Sequence, residues 1–257
     1  YPLALEKVVH MAASSSWAAD YLRRHPVLLD ELLDPRLLED AAGIEAFREQ
    51  LRQTLDDVEP DIERQMDLMR EAHHAQIFRL LAQDIAGLLT VERLSDHLSD
   101  LADLMVGFAL DYSWRKIPAR HMERPRFAVI AYGKLGGKEL GYVSDLDLVF
   151  IFDDDHPEAA KIYSRLATRL NTWLSAQTSA GQLFETDLRL RPNGDAGLVV
   201  TSLEAFRKYQ IEAAWAWEHQ AITRARFCAG DPAIGAAFEE IRRDVLRLRR
   251  DPAKLRE

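Results

Sequence analysis

Gly133-Lys134-Leu135-Gly136-Gly137-Lys138-Glu139-Leu140-Gly141-Tyr142-Val143-Ser144-Asp145-Leu146-Asp147-Leu148-Val149-Phe150 is the stretch that decides how this chain is read. A glycine-rich turn leads into two carboxylates spaced i, i+2, and an apolar strand follows. Strand side chains alternate faces, so Asp145 and Asp147 point to the same side. Carboxylates that close repel unless a positive charge sits between them. A divalent cation is the natural candidate, and the glycine turn offers backbone N–H groups to a phosphate. The pattern reads as metal-assisted phosphate chemistry.

The surrounding sequence supplies further strands. Arg126-Phe-Ala-Val-Ile-Ala-Tyr132 is a short apolar, β-branched run, and Leu146 to Phe152 is a second. Pro157 opens an amphipathic helix with Ile162, Leu166, Leu170, Trp173 and Leu174 on its apolar side. Gly181 ends that stretch. A third strand is expected from Leu183 to Leu190, then a turn at Pro192-Asn193-Gly194 and a return strand at Leu198-Val199-Val200. Thr201-Ser202-Leu203-Glu204 reads as a capping box that restarts a helix. A helical segment through Trp215, Trp217 and Arg224 closes the domain near Cys228, and residues 231–257 read as a charged, Arg-rich helix.

Residues before Pro118 read as helical throughout. Leu94, Leu98, Leu101, Met105 and Phe108 share one helix face, and Ile77, Leu80, Leu81, Ile85 and Leu88 share another one helix earlier. Pro60, beside Glu59 and Asp61, suits a helix start, while Pro26, Pro35 and Gly43 mark earlier joints. The apolar stripes are the core of a bundle. His73 and His74 are adjacent, point to different faces and make a poor metal pair, so they read as surface or packing residues.

Composition narrows the function. A length of 257 residues holds one large or two modest domains. The net charge of −9 argues against gripping a nucleic-acid backbone. A single cysteine, Cys228, forms no internal disulfide, and a cytoplasmic setting is the simplest reading. No apolar run reaches membrane-spanning length, and residues 1–20 lack a signal-peptide layout. Tyr1 is not a natural start, which reads as a segment cut from a longer protein.

The third strand completes the candidate site. Asp187, Arg189 and Arg191 alternate with Leu188 and Leu190, giving one charged face and one apolar face. Beside the Asp145–Asp147 strand, Asp187 would make three converging carboxylates, enough for two Mg²⁺ ions that bridge triphosphate oxygens. Arg189 and Arg191 would give bidentate donors to phosphate, Ser144 a hydroxyl, and Gly133, Gly136 and Gly137 an anion-binding concavity. Asp153, Asp154 and Asp155 are better explained by helix capping. Trp215, Trp217, His219 and Cys228 read as packing residues. Glu218, Arg224 and Arg226 are equally well read as supporting partners of the site or as helix salt bridges.

Two rival motifs fail. A P-loop needs glycine at 132 and Ser or Thr after Lys138, where this chain has Tyr132 and Glu139. Asp145-Leu-Asp-Leu-Val149 fits the D-x-D-x-[TV] string of haloacid-dehalogenase-type phosphatases. In those enzymes the strand precedes the aspartates; here Leu148 to Phe152 follows them.

The order of strand, glycine turn, D-x-D strand and third-strand Asp resembles the nucleotidyltransferase superfamily of DNA polymerase β type. That family's turn is usually Gly followed by Gly or Ser, and this chain has Gly133-Lys134. Tyr132 to Phe150, Glu185-Thr-Asp-Leu-Arg-Leu-Arg-Pro-Asn-Gly194 and Glu212-Ala-Ala-Trp-Ala-Trp-Glu-His-Gln-Ala221 are similar to the bacterial glutamine synthetase adenylyltransferase family. His25-Pro-Val-Leu-Leu-Asp-Glu-Leu-Leu-Asp-Pro35 and Ser95-Asp-His-Leu98 resemble the region leading into its C-terminal, adenylylating half.

The sequence texture and the resemblance together imply an α+β architecture: a helical bundle over residues 1–118, a nucleotidyltransferase fold with a small mixed sheet flanked by helices over 119–230, and over 231–257 a helical connector to a C-terminal helical domain that is expected to be missing here. The resemblance implies transfer of AMP from Mg–ATP to a tyrosine of glutamine synthetase, with pyrophosphate leaving. Phosphorolytic removal of AMP by the same fold and a non-catalytic docking module are the alternatives, and an RNA-tailing enzyme is disfavoured by charge. Asp145, Asp147 and Asp187 would be catalytic metal ligands, with Asp187 either completing a metal site or accepting the tyrosine proton. Lys134 would join the phosphate-binding set. Glutamine synthetase and a PII-type signalling protein are the implied partners, and no nucleic acid or membrane is expected.

Overall fold

The computed structural model describes residues 2–30, 43–118, 120–192, 194 and 197–249. The chain forms two compact units: Tyr1–Leu101 with Gln177–Gln182, and Ala102–Ala176 with Leu183–Glu257. The division falls inside a helix, ahead of the change in sequence texture after Pro118. No helix among the described residues is long and apolar enough to cross a membrane.

The first unit is helical. Helices α1 (Pro2–Ser14) and α2 (Ser16–Arg24) are followed by a 3₁₀ turn at Pro26–Leu29, then by α3 (Ile44–Asp57), α4 (Ile62–Ile85) and the start of α5 (Val91–Arg115). The joint expected at Pro35, and residues 31–35 of the segment beginning at His25, lie outside the described residues. Ser15 caps α2, its hydroxyl accepting from the Ala18 N–H. α4 starts just after Pro60, as expected, and Asp61 caps it, its carboxylate accepting from the Arg64 N–H at 3.0 Å. Leu94, Leu98, Leu101, Met105 and Phe108 are all buried, as their spacing predicts. Leu88 departs from its stripe: α4 has ended, and Leu88 is exposed.

The middle of α4 buries polar groups that the apolar stripes did not announce. Arg70 is fully buried and donates to the carbonyls of Gly181 and Met66, each at 2.9 Å. Asp67 accepts from the Ser179 hydroxyl at 2.7 Å. His73 and His74 are both buried, which settles them as packing residues. The Tyr21 hydroxyl meets His74 Nδ1 at 2.8 Å, and the His25 ring lies 4.0 Å from the His74 ring. Burial drives His73 well below the usual histidine range and His74 down to about 4.

The second unit is built on a mixed sheet. Its strands are β1 (Phe127–Ala131), β2 (Leu146–Phe152), β3 (Thr186–Asp187), β4 (Val200–Ser202) and β5 (Arg226–Gly230). The order is β3-β2-β1-β5, with β4 also on β2. β1 runs antiparallel to β2 and β5; β3 and β4 run parallel to β2 along successive parts of one edge. The remaining helices are α6 (Gly133–Gly136), α7 (Ala159–Ser175), α8 (Leu203–Glu212), α9 (Ala216–Ile222) and α10 (Pro232–Leu246). The fold is α+β, a small mixed sheet flanked by helices.

Both faces of the sheet are covered, which is why β1 and β2 read as near-continuous apolar runs. On one face Ala128, Ile130, Tyr132, Val149 and Ile151 join Phe206 of α8, Ile222 of α9 and Ile234, Phe238, Ile241 and Val245 of α10. On the other, Phe127 stacks on Phe150 and on Tyr163 of α7. Tyr112 and Trp114 of α5 stack on Trp173 and Tyr163. The charged helix expected from residue 231 thus has a buried apolar stripe; residues 250–257 lie outside the described residues.

Several local expectations are corrected. The third strand spans only Thr186–Asp187, because the Arg189 N–H turns back to donate to Asp187 at 2.8 Å. The strand expected at 198–200 lies at Val200–Ser202 and runs parallel to β2 rather than returning along β3. The turn before it includes Asn193, outside the described residues. The α8 cap is Ser202, one residue later than the expected box, its hydroxyl accepting from the Ala205 N–H. Arg226–Gly230 is a strand where no strand was expected. Asp153 to Asp155 do not cap α7: Asp153 pairs with Arg126 at 2.6 Å, and Asp154 accepts from Tyr163 at 2.7 Å with His121 at 2.8 Å. Trp215 and Trp217 are 69% and 55% exposed, so they are not packing residues, whereas His219 is buried.

Candidate functional site

The candidate carboxylates gather at the start of β2. Leu146 and Leu148 are buried, while Asp147 between them is half-buried and Asp145 is exposed. Alternation sends Asp145 and Asp147 to one face. Parallel pairing sets Leu146 opposite Thr186 and Asp147 opposite Asp187. Register partners share a face, so Asp187 joins the other two. The Tyr132 N–H donates to the Asp147 carbonyl at 2.9 Å, which brings the end of β1 alongside the same residue.

The grouping sets the charge balance of the site. Burial, then the carboxylates of Asp145 and Asp187, push Asp147 above the usual carboxylate range, and Lys134 and Arg189 partly oppose that rise. Asp187 is held below the usual range, chiefly by hydrogen bonds from the Arg189 side chain. Arg189 Nε sits 2.9 Å from Asp187 Oδ2, and its Nη2 bonds the same oxygen. Arg191 Nη1 donates to the Leu188 carbonyl at 2.5 Å. The two arginines therefore do not project as a two-pronged strand face; they fold back around the turn after β3.

The glycine turn closes one side. Gly133 has φ +55, and a Cβ there would lie 2.0 Å from Asp147 Oδ2. Glycine is required for the backbone angle and for the close approach. α6 is a single helical turn whose Gly136 and Gly137 N–H groups donate to Tyr132 and Gly133 at 2.8 and 3.0 Å. A Cβ on Gly136 would meet the Arg224 carbonyl at 1.9 Å, so that glycine admits the chain entering β5. Ser144 Oγ accepts from the Gly141 N–H at 3.0 Å and fixes the turn before Asp145, leaving its own proton to donate.

The donor set fits a hard divalent cation: oxygen ligands, crowded anions, and Asp147 destabilised in its ionised form. Asp145 and Asp147 meet that test as they stand. Asp187 is engaged by Arg189, and among the described residues no three His, Cys, Asp or Glu side chains are arranged to hold one ion.

The turn is braced by contacts that no local sequence pattern announces. Arg224 Nη2 pairs with Glu139 at 2.5 Å. Arg226 Nε and Nη2 donate to the Leu135 carbonyl at 3.2 and 3.1 Å while its guanidinium forks onto Asp103 at 2.7 and 2.9 Å. The Arg224-x-Arg226 spacing was the available signal, but read on a helix it concealed the strand that aims Arg226. Glu218, buried, accepts from the Tyr209 hydroxyl at 3.0 Å and the Trp215 N–H at 2.8 Å, which makes it a brace of the α8–α9 corner.

Comparison with known proteins identifies the family. The family model described as glutamate-ammonia ligase adenylyltransferase matches residues 5–241. The chain is 70% identical over its full length to the bifunctional glutamine synthetase adenylyltransferase/adenylyl-removing enzyme of Aromatoleum aromaticum, covering 27% of that protein. It is 56% identical to the enzyme of the same name from Chromobacterium violaceum, covering 29% of it. Against the Neisseria meningitidis serogroup A enzyme it is 52% identical over 99% of this chain and 28% of that protein. The chain thus spans little more than a quarter of these relatives, and it belongs to the glutamate-ammonia ligase adenylyltransferase family.

Proposed function

We propose that this chain carries the nucleotidyltransferase site that moves AMP from Mg–ATP to a tyrosine of glutamine synthetase, the adenylylating half of such an enzyme. The observation that carries the reading is the pairing of Asp147 with Asp187 in register beside Asp145, with Lys134 and Arg189 close to Asp147. A site crowded with anions beside two cations suits a metal-bound polyphosphate better than a neutral ligand.

Asp145 and Asp147 would hold magnesium, with Asp187 completing the second of two sites once Arg189 exchanges its carboxylate for a phosphate. Bound magnesium would neutralise triphosphate oxygens and polarise the α-phosphate. Lys134, Arg189 and Arg191 would draw in the triphosphate, and Ser144 would donate its hydroxyl. Gly133 lets the turn carrying Lys134 lie against Asp147, while Gly136 and Gly137 shape that turn. The tyrosine oxygen would bond to the α-phosphorus as the bond to pyrophosphate breaks, and the phenolic proton leaves to solvent or an acceptor. Asp187 is held ionised by Arg189, which makes it a weak proton acceptor and favours the ligand role over the base role.

In this reading residues 1–118 form a helical domain, 119–230 the catalytic domain and 231–257 a connector. A PII-type protein would regulate the longer enzyme in the cytoplasm. The relatives' name includes adenylyl removal, so direction is tested directly. Incubation with unmodified glutamine synthetase, ATP and Mg²⁺ should add one AMP to a tyrosine. ADP formed from adenylylated glutamine synthetase and phosphate would identify the opposite half.

A further inference from the structure

We infer that Arg226 is a positioning residue for the phosphate-binding turn, with Asp103 as its anchor. The inference deepens the proposed AMP transfer, and its kinetic arm rests on that reading.

Arg226 opens β5 opposite Ala131, the last residue of β1. β5 therefore runs beside the chain just before it enters the glycine turn. Besides a bond to the Phe227 carbonyl at 3.2 Å, the Arg226 guanidinium makes two connections that bear on that turn. It forks onto Asp103 of α5 at 2.7 and 2.9 Å, and it donates twice to the Leu135 carbonyl at 3.2 and 3.1 Å. Both partners of the ion pair are mostly buried, at 21% and 22% exposed. A planar fork can satisfy a carboxylate and a carbonyl together; a lysine ammonium, a compact point charge on a flexible stem, cannot reproduce that geometry. Leu135 follows Lys134, and Gly133 rests against the Asp147 carboxylate. Fixing the Leu135 carbonyl fixes where Lys134 and Gly133 stand relative to Asp147.

The surroundings show why side-chain bracing is needed. α6 is one turn long and has little stability of its own. The sheet is irregular beside it: pairing of β1 with β5 shifts between Val129 and Ile130. Cys228, which falls at that shift, donates its thiol to Asp103 Oδ1 at 3.1 Å. Asp103 thus ties α5, β5 and, through Arg226, the glycine turn. Asp103 and Arg226 touch no proposed reacting atom, and their effect passes through Leu135.

The test compares Arg226→Lys and Arg226→Ala with the unmodified chain by amide hydrogen exchange, thermal melting and steady-state AMP transfer at varied ATP. Arg226→Lys keeps the charge beside Asp103, so the fold survives. Exchange at Gly136 to Glu139 should quicken at least tenfold in both variants without nucleotide. kcat/KM for ATP should fall at least tenfold in Arg226→Lys, and millimolar methylguanidinium should restore part of the loss in Arg226→Ala. Unchanged exchange in that segment overturns the inference whatever the activity. Equal kcat/KM per folded molecule, with only a lower melting temperature, assigns Arg226 a purely structural role and also overturns it. If the unmodified chain transfers no AMP, the proposed function fails while the exchange arm still decides the inference.

Discussion

Asp147 and Asp187 are register partners across the parallel β2–β3 pair, so two carboxylates separated by forty residues of sequence stand side by side on one face. Asp147 is pushed up by burial and its neighbours, whereas Asp187 is pulled down by Arg189. The same carboxylate cluster thus contains one member in need of a cation and one already holding one.

Asp147→Asn should abolish AMP transfer without loss of fold. A carboxylate raised on folding binds more protons folded than unfolded, so its contribution weakens as pH rises past the usual carboxylate range. At neutral pH the ionised group therefore disfavours the fold, and Asn removes that burden. In metal-free buffer Asp147→Asn should melt no lower than the parent at pH 7. Added Mg²⁺ should raise the parent's melting temperature and move the variant's much less.

Gly133→Ala should lose activity and about 1–3 kcal/mol of stability, the scale of a strained backbone position. Its Cβ would land 2.0 Å from Asp147 Oδ2 at φ +55. Denaturant unfolding with an unchanged m-value checks the stability arm.

Arg189→Ala should separate binding from folding. The guanidinium is 73% exposed, so its pair with Asp187 contributes at most about 1 kcal/mol. KM for ATP should rise several-fold while urea midpoints barely move. Asp187 should also titrate closer to the usual carboxylate value in the variant, readable by carboxyl NMR.

β1, β2 and α7 were legible in the sequence because covered faces make runs such as Phe127 to Ala131 nearly all apolar, and because Ile162, Leu166, Leu170 and Trp173 keep helical spacing. β5 was not legible: Arg226 and Cys228 occupy strand positions for the sake of Asp103, a contact that no local pattern announces. Strand periodicity through Leu190 was overridden by a local bond from the Arg189 N–H to Asp187. Residue type announced the carboxylates but not the exposure of Trp215 and Trp217, which depends on what covers the α8–α9 corner. The polar interior of α4 was equally silent, since Arg70 finds its partner at Gly181.

That interior predicts acid sensitivity. His73 and His74 are held below the unfolded histidine value, so the unfolded chain binds the extra protons first. Their contribution is intact above about pH 6.5 and falls by up to about 1.4 kcal/mol per pH unit for each group below it. The loss from His74 ends near its folded value of about 4. Melting curves from pH 7 to 5 should show this decline, and His73→Met should make it shallower, leaving the part due to His74.

AMP transfer to a tyrosine by the proposed Asp145–Asp147–Asp187 site can be read from the intact mass of glutamine synthetase after incubation with this chain, Mg²⁺ and ATP, followed by peptide mapping. One added AMP on a tyrosine is expected, dependent on Mg²⁺ and absent with Asp147→Asn. An unchanged mass alongside folded, Mg²⁺-loaded protein, or an equal gain with Asp147→Asn, would contradict it.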